Sequence, residues 1–218
     1  MKTSYKNYFK VHYRSTFSEI DIARYRQWFY AQWVIIKKQV SVSKNIRVLE
    51  IGSGIGGVYS ILKDEGLVDY VGIELDGEVV KFANKHFKKK VFHNISIEDF
   101  KDNKKFDVVF AFEVLEHVEN PSIVIDKIFD LLKPRGVFCG TSPFPYKKNV
   151  LADSTHMFVL HPSNWERLFE RSGFSNIKLR SLTFFPLLWR VNKKANINIQ
   201  FYLPFRNFIT TCLIIARK

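Results

Sequence analysis

The stretch Val48-Leu49-Glu50-Ile51-Gly52-Ser53-Gly54-Ile55-Gly56-Gly57 decides how the chain folds. Its first half, with Ile46 before it, is a short apolar run of the kind seen in strands buried on both faces. The run stops at a glycine cluster, and helical spacing resumes at Val58, Ile61 and Leu62. Strand, glycine turn and helix form the entry to a nucleotide-type βαβ unit. The glycines allow a sharp turn and a close approach to a ligand that any Cβ would hold off. The helix start behind them offers unpaired N–H groups. Taken alone, Gly52-x-Gly54-x-x-Gly57 fits a dinucleotide as well as other adenosine cofactors. Two carboxylates narrow the choice. Glu50 lies at the carboxyl end of the strand, where it would repel a pyrophosphate and attract an amino group. Glu74 closes the next apolar run, Tyr70-Val71-Gly72-Ile73, where an acid can hold both hydroxyls of a ribose. An amino group plus a ribose describes S-adenosylmethionine.

From about Arg47 to about Lys178, and more loosely to its end, the chain resembles a Rossmann-like (class I) S-adenosylmethionine-dependent methyltransferase. Three motifs carry the resemblance: Glu50-Ile-Gly-Ser-Gly-Ile-Gly-Gly57, Val71-Gly-Ile-Glu-Leu-Asp76 and Phe106-Asp-Val-Val-Phe-Ala-Phe-Glu-Val-Leu-Glu-His-Val118. The last, followed by Leu132-Lys-Pro-Arg-Gly136 and Arg171-Ser-Gly-Phe174, is similar to the ubiquinone-biosynthesis O-methyltransferases and their small-molecule relatives, the type 11 group. The resemblance implies an α/β fold: a three-layer sandwich around a seven-stranded, mostly parallel sheet, with an N-terminal helical addition. It implies S-adenosyl-L-methionine as cofactor and S-adenosyl-L-homocysteine as product. The implied cofactor residues are Glu50, Gly52, Ser53, Gly54 and Gly56 in the first turn, Glu74 and Leu75 at the second strand, Ser96, Ile97 and Glu98 over the adenine, and Phe112 and Glu113 after the fourth strand. The acid that usually meets the adenine amino group falls nearest Ser96 here, so which acid serves stays open. The implied division is a helical lid or substrate segment (1–45), the cofactor-binding core (46–182), a basic aromatic insertion (183–208) and a final core strand (209–218).

Along the chain, Ser18 reads as an N-cap with Asp21 at N3. Ile22, Tyr25, Phe29, Trp33, Ile36 and Val40 then recur at three- and four-residue steps, which predicts a helix packed on the sheet. Trp28 and Tyr30 lie off that stripe and are free to face a substrate. Strands are expected at 47–51, 70–74, 91–95, 107–111, 137–141, about 176–182 and about 209–217. Helices are expected up to Glu65, closed by Gly66, over 77–87, and from Pro121 to Lys133-Pro-Arg-Gly136. A capping box, Ser163-Asn-Trp-Glu166, predicts another helix ending at Gly173. Residues 143–153 read as a loop over the site, and residues 1–17 as a short helix or a lid.

The net charge of +13 is unevenly placed. Residues 1–47 hold ten Lys/Arg and two acids, residues 178–218 hold eight Lys/Arg and no acid, and the stretch between them is mildly acidic. Both flanks are also rich in aromatics. The resemblance implies that these flanks form the substrate side, and their charge and aromatics suit an anionic membrane, with Phe184-Phe185-Pro-Leu-Leu-Trp189 either dipping into the interface or closing as a lid. Basic charge with aromatics also suits single-stranded RNA. The two cysteines, Cys139 and Cys212, fall in apolar runs and read as buried free thiols, with no zinc spacing. The first residues lack the apolar core of a signal peptide, and no apolar run approaches the ~20 residues that span a bilayer. The expected location is cytoplasmic, with peripheral contact at the inner face of the membrane.

Methyl transfer is an in-line displacement at a sulfonium carbon, so the protein mainly aligns the partners. A hydroxyl acceptor gains from a general base, and His117 and His156 are the candidates. Glu113-x-x-Glu116-His117 with His156 also resembles the Glu-x-x-Glu-His…His set that holds a divalent ion in small-RNA 2′-O-methyltransferases and some ubiquinone O-methyltransferases. Metal-free relatives share Glu-Val-Leu-Glu-His, so both readings stay open. The leading expectation is methylation of a small-molecule, lipid-linked or glycan-linked acceptor, at oxygen. One alternative is an RNA methyltransferase, although the Asn/Asp-Pro-Pro-Tyr/Phe motif of amino methylation is replaced by Phe112-Glu113-Val114-Leu115. A nicotinamide dehydrogenase is a second alternative, but the Tyr59…Lys63 pair lies in the wrong helix for it. A non-catalytic cofactor-binding protein is a third.

Overall fold

The computed structural model describes residues 17–40, 45–66, 69–146, 148–184, 198–199 and 209–218. The expected lid over the first residues and nearly all of the basic insertion lie outside them. Of residues 184–189 only Phe184 is described, and it is buried.

Helix α1 (Glu19–Ile36) begins as its sequence predicts. Ser18 has extended backbone, its hydroxyl accepts from the Asp21 N–H, and the Asp21 carboxylate accepts from the Ser18 N–H at 3.0 Å. This reciprocal cap satisfies two donors that the first turn would otherwise leave unpaired. Ile22, Phe29, Trp33, Ile36 and, beyond the helix, Val40 are buried. Phe29 meets Phe110 and Phe112 edge to face, at 5.9 and 4.9 Å between ring centroids. Of the two residues off the stripe, Trp28 packs edge-on against Phe112 at 6.0 Å, while Tyr30 is exposed. Phe29→Ala empties a fully buried site and is expected to cost about 3–5 kcal/mol of unfolding free energy. Denaturant unfolding with an unchanged midpoint would contradict this packing.

The other elements are β1 (Val48–Ile51), α2 (Gly57–Asp64), β2 (Tyr70–Glu74), α3 (Gly77–Phe87), β3 (Phe92–Asn94), β4 (Phe106–Phe112), α4 (Pro121–Leu131), β5 (Leu132–Pro143), α5 (Lys148–Leu151), α6 (Pro162–Arg171), β6 (Ser175–Phe184), β7 (Asn198–Ile199) and β8 (Ile209–Arg217). They form one sheet in the order β3-β2-β1-β4-β5-β8-β6-β7. The seven expected strands are all present, and the two-residue β7 adds a short pairing at the end of β6. Strands β3, β2, β1, β4 and β5 are parallel to one another, whereas β8 runs antiparallel between β5 and β6. One face packs on α1, α2 and α3 through Phe29, Trp33, Ile61, Leu62, Val80 and Ala83. The other packs on α4 and α6 through Val124, Ile125, Ile128, Leu131, Trp165 and Phe169. These are the three layers expected of the fold. Cys139 and Cys212 are buried free thiols inside them, and burial pushes the Cys212 thiol up to about 12. Among the described residues, no helix is long and apolar enough to cross a membrane.

Three local expectations shift. Lys133-Pro-Arg-Gly136 lies inside β5 rather than closing α4, because Leu132 already pairs with Phe106 ahead of a register shift. The sixth helix starts two residues before the anticipated cap. His161 is its N-cap, its ring nitrogen accepting from the Ser163 N–H, and Pro162 takes the first turn, where its missing donor costs nothing. The expected loop over the site contains the single turn α5.

Strand order reverses between β1 and β4, the switch point at which open α/β sheets bind ligands beyond the carboxyl ends of their strands. The glycine turn after β1 and the residues after β4 therefore meet. A Cβ on Gly52 would lie 2.5 Å from Val114 Cγ2, so only glycine lets the two loops approach this closely.

Candidate active site

Gly52, Gly54 and Gly56 all have positive φ (68°, 51° and 86°). The turn they make is pinned to β2. The N–H groups of Gly52 and Ser53 donate to the Ile73 carbonyl at 2.9 and 3.0 Å, and that of Gly54 donates to Glu74 Oε2 at 3.0 Å. Glu74 Oε1 accepts from the N–H groups of Leu75 and Asp76 at 2.7 and 3.1 Å. Burial raises the Glu74 pKa above the usual carboxylate range, and the three N–H donors only partly offset it. Asn94 Nδ2 holds the same strand end through the carbonyls of Glu74 and Leu75, at 3.0 and 2.8 Å. Leu75 is exposed beside Glu74. The Glu50 carboxylate is buried under the turn and accepts from the Tyr70 hydroxyl, and burial pushes its pKa well above the ordinary value. Ser53 Oγ is buried with no hydrogen-bond partner among the described residues.

After β3, Ser96 Oγ donates to Asp99 Oδ2 at 3.0 Å and accepts from the Asp99 N–H at 3.1 Å. Ile97 is buried, and the exposed Glu98 contributes its carbonyl to Lys127 Nζ at 2.8 Å. The acid coupled to Ser96 is therefore Asp99, three residues along. The sequence left open which acid of Ser96-Ile97-Glu98-Asp99 serves, although Ser-x-x-Asp is the spacing of a local side-chain turn.

The end of β4 builds the second half of the site. Phe112 is buried, and Glu113 adopts φ 52°. The Glu113 N–H donates to the Thr141 carbonyl and to Thr141 Oγ1, at 3.0 and 3.2 Å. Its carboxylate accepts from Thr211 Oγ1 at 2.6 Å. Burial raises the Glu113 pKa against the pull of these hydroxyls. Glu116 is fully buried, and neither of its carboxylate oxygens has a hydrogen-bond partner among the described residues. Burial, reinforced by the Glu113 carboxylate, holds its pKa well above the ordinary value. The Glu116 carbonyl accepts from the N–H groups of Met157 and Phe158, which anchors the segment after α5. That segment delivers His156.

The two imidazoles lie 4.8 Å apart between ring centroids. His117 Nδ1 is 2.9 Å from the Thr155 carbonyl, and His156 Nδ1 is 2.7 Å from the Val150 carbonyl. A carbonyl only accepts, so Nδ1 carries the hydrogen in each ring, and the lone pair of the neutral form sits on Nε2. Glu116, His117 and His156 each bring one ligand atom within 4.8 Å of the others. Glu113 is outside this group, its carboxylate held by Thr211. The remaining described histidines stand elsewhere: His161 caps α6, His86 stacks on Phe82, and His93 is exposed.

Residues 23–179 match the methyltransferase domain family, and the chain belongs to that family. The ubiquinone biosynthesis O-methyltransferase of Pelagibacter ubique is 32% identical over 176 residues, covering 71% of this chain and 73% of that one. The enzyme of the same description from Hydrogenovibrio crunogenus is 27% identical over 190 residues, 78% of each chain. Among solved structures, a S-adenosylmethionine-dependent methyltransferase of Thermotoga maritima superposes with a TM-score of 0.68 at 15% identity, over 98% of this chain and 97% of that one. The protein is a class I S-adenosylmethionine-dependent methyltransferase, as its motifs predicted.

Proposed function

We propose that this enzyme methylates a hydroxyl of a small-molecule or lipid-linked acceptor, with the His117–His156 pair receiving the proton. One observation carries the reading: the two imidazoles lie 4.8 Å apart between ring centroids, each with Nδ1 on a backbone carbonyl, and His156 Nε2 is 4.0 Å from Asp153 Oδ2, an acid placed to stabilise the imidazolium once the proton arrives. Bound S-adenosyl-L-methionine supplies an activated methyl group. The turn fits it, because Gly52 is exposed with positive φ and admits no Cβ. Glu50 takes the ammonium and Glu74 the ribose hydroxyls, exchanging backbone donors for ligand hydroxyls. Leu75 and Ile97 flank the adenine, Ser96 and Glu98 hold its rim, and Asp99 is the acid available to its amino group. Ser53, Gly54 and Gly56 shape the turn, and Phe112 and Glu113 close the methionine side. Tyr146, Leu151 and Met157 are exposed apolar residues around the segment that carries His156, which suits an acceptor with an apolar tail. The names of the relatives support O-methylation. The basic flanks form the docking side, toward an anionic membrane surface, in a protein that works in the cytoplasm.

A second reading is favoured by the two unpartnered oxygens of Glu116. A buried carboxylate with one ligand atom of each imidazole within 4.8 Å is a donor set suited to magnesium, manganese or zinc. Glu116, His117 and His156 would hold the ion, with Glu113 alongside, and the ion would lower the pKa of the acceptor hydroxyl. Chelation separates the readings. With a divalent ion in the site, activity toward a catechol acceptor is expected to fall at least tenfold in chelator and to return on adding manganese. Manganese is then also expected to give a bound paramagnetic signal that Glu116→Gln removes. Full activity in chelator leaves the imidazole pair as the proton acceptor.

A further inference from the structure

Tyr70 opens β2, one strand away from the glycine turn, and belongs to none of the motif positions that carry the cofactor. In the parallel register Val48 stands beside Tyr70, and Glu50 beside Gly72. The Tyr70 ring does not stay over its own neighbour. It leans along the sheet across Gly72, and its hydroxyl donates to the Glu50 carboxylate. A Cβ at position 72 would lie 2.8 Å from the Tyr70 hydroxyl oxygen and 2.9 Å from Ser53 Cβ. Gly72 is thus the gap through which the phenol reaches the base of the turn. The ring is fixed on its other sides by Tyr59 at 4.8 Å and Phe92 at 5.7 Å. Tyr70 is buried, and burial with the Glu50 charge keeps its pKa well above the ordinary phenol value, so it stays a donor.

We propose that Tyr70 is a positioning residue for cofactor binding: its hydroxyl supports the charged form of Glu50 against its burial and aims it at the site of the cofactor's amino group. This rests on the reading of Glu50 given above. A carboxylate removed from water this completely tends to take up a proton, and a neutral acid would no longer attract an ammonium. A hydrogen-bond donor opposes both outcomes, because it stabilises the charged form and limits its rotamers. The assignment also explains the glycine at position 72, in the middle of a buried strand, where glycine otherwise weakens the pairing.

The test uses two ligands that differ in the amino-acid moiety. S-adenosylhomocysteine carries the amino group, and 5′-methylthioadenosine shares the nucleoside but lacks it. Calorimetric titration of Tyr70→Phe is expected to weaken S-adenosylhomocysteine by about tenfold, the worth of one hydrogen bond to a charged group. Binding of 5′-methylthioadenosine is expected to stay within twofold. Glu50→Gln should give a similar selective loss, and the double variant should lose no more than Glu50→Gln alone. Equal weakening of both ligands by Tyr70→Phe, or losses that add in the double variant, would overturn the positioning role. If Glu50→Gln leaves S-adenosylhomocysteine unaffected, the cofactor role of Glu50 itself fails, and Tyr70 with it. Glu50→Gln removes the charge and keeps the side-chain shape, so it reports on this site even if Tyr70→Phe proves unstable.

Discussion

His117→Ala is expected to lower kcat by about 10²–10⁴-fold, the usual contribution of a positioned acid–base group. Affinity for S-adenosylhomocysteine should stay within twofold. The reason is positional. His117 lies five residues past the end of β4, and its Nδ1–H is spent on the Thr155 carbonyl. The ring is thus oriented from the segment that also carries His156, not from the glycine turn. Its neighbour His156, 4.8 Å away, is held the same way by the Val150 carbonyl, so His156→Ala should also lose activity, with cofactor binding intact. Imidazole added to His117→Ala offers a further distinction. Rescue is expected if the ring takes a proton, because a free base can enter the space left behind. A drop in kcat below threefold for His117→Ala would remove the residue from the chemistry and leave it as a buried, hydrogen-bonded histidine.

Glu74→Ala carries the second large expectation. A hydrogen bond to a charged group contributes about 1.5–3 kcal/mol, so losing one weakens S-adenosylmethionine by roughly tenfold to a hundredfold. The true loss should lie at the upper end. Glu74 also clamps the turn itself, through Gly54 at 3.0 Å and through Leu75 and Asp76. Its removal unties the glycine loop from β2 as well as deleting the ribose partner. Glu74→Gln keeps the reach but not the charge and should lie between the two. Both variants are read by calorimetric titration, with thermal unfolding as the check that α3 and its Asp76 cap survive. Unchanged affinity in Glu74→Ala would mean that the ribose is held elsewhere in the crevice.

Most of the fold was legible because its signals are local. A glycine cluster after an apolar run, a serine three residues before an aspartate, and a stripe at three- and four-residue steps each specify their own element. The glycine turn, the α1 cap and the buried face of Phe29 and Trp33 follow from them. Local signals also compete, as at α6, where Pro162 and His161 set the start ahead of a sound capping box. The site was less legible because its second half is assembled across the sheet. Thr211 reaches Glu113 over 98 residues of sequence, from a strand that belongs to no motif. The carbonyls that orient the two imidazoles, those of Thr155 and Val150, carry no residue identity that a sequence could display. Tyr70 reads as one more apolar strand residue until its ring is seen to cross Gly72. Asp99 alone was within reach of sequence reasoning, through its spacing from Ser96.

The most direct test is transfer of labelled methyl from S-adenosylmethionine into a fractionated extract of the source cells, with His117→Ala as the control. The label is expected in the organic-soluble or small-molecule fraction, in an alkali-stable methyl ether, and at a hundredth or less of that level with the variant. Label confined to a nuclease-sensitive fraction would contradict the small-molecule reading and make an RNA hydroxyl the acceptor.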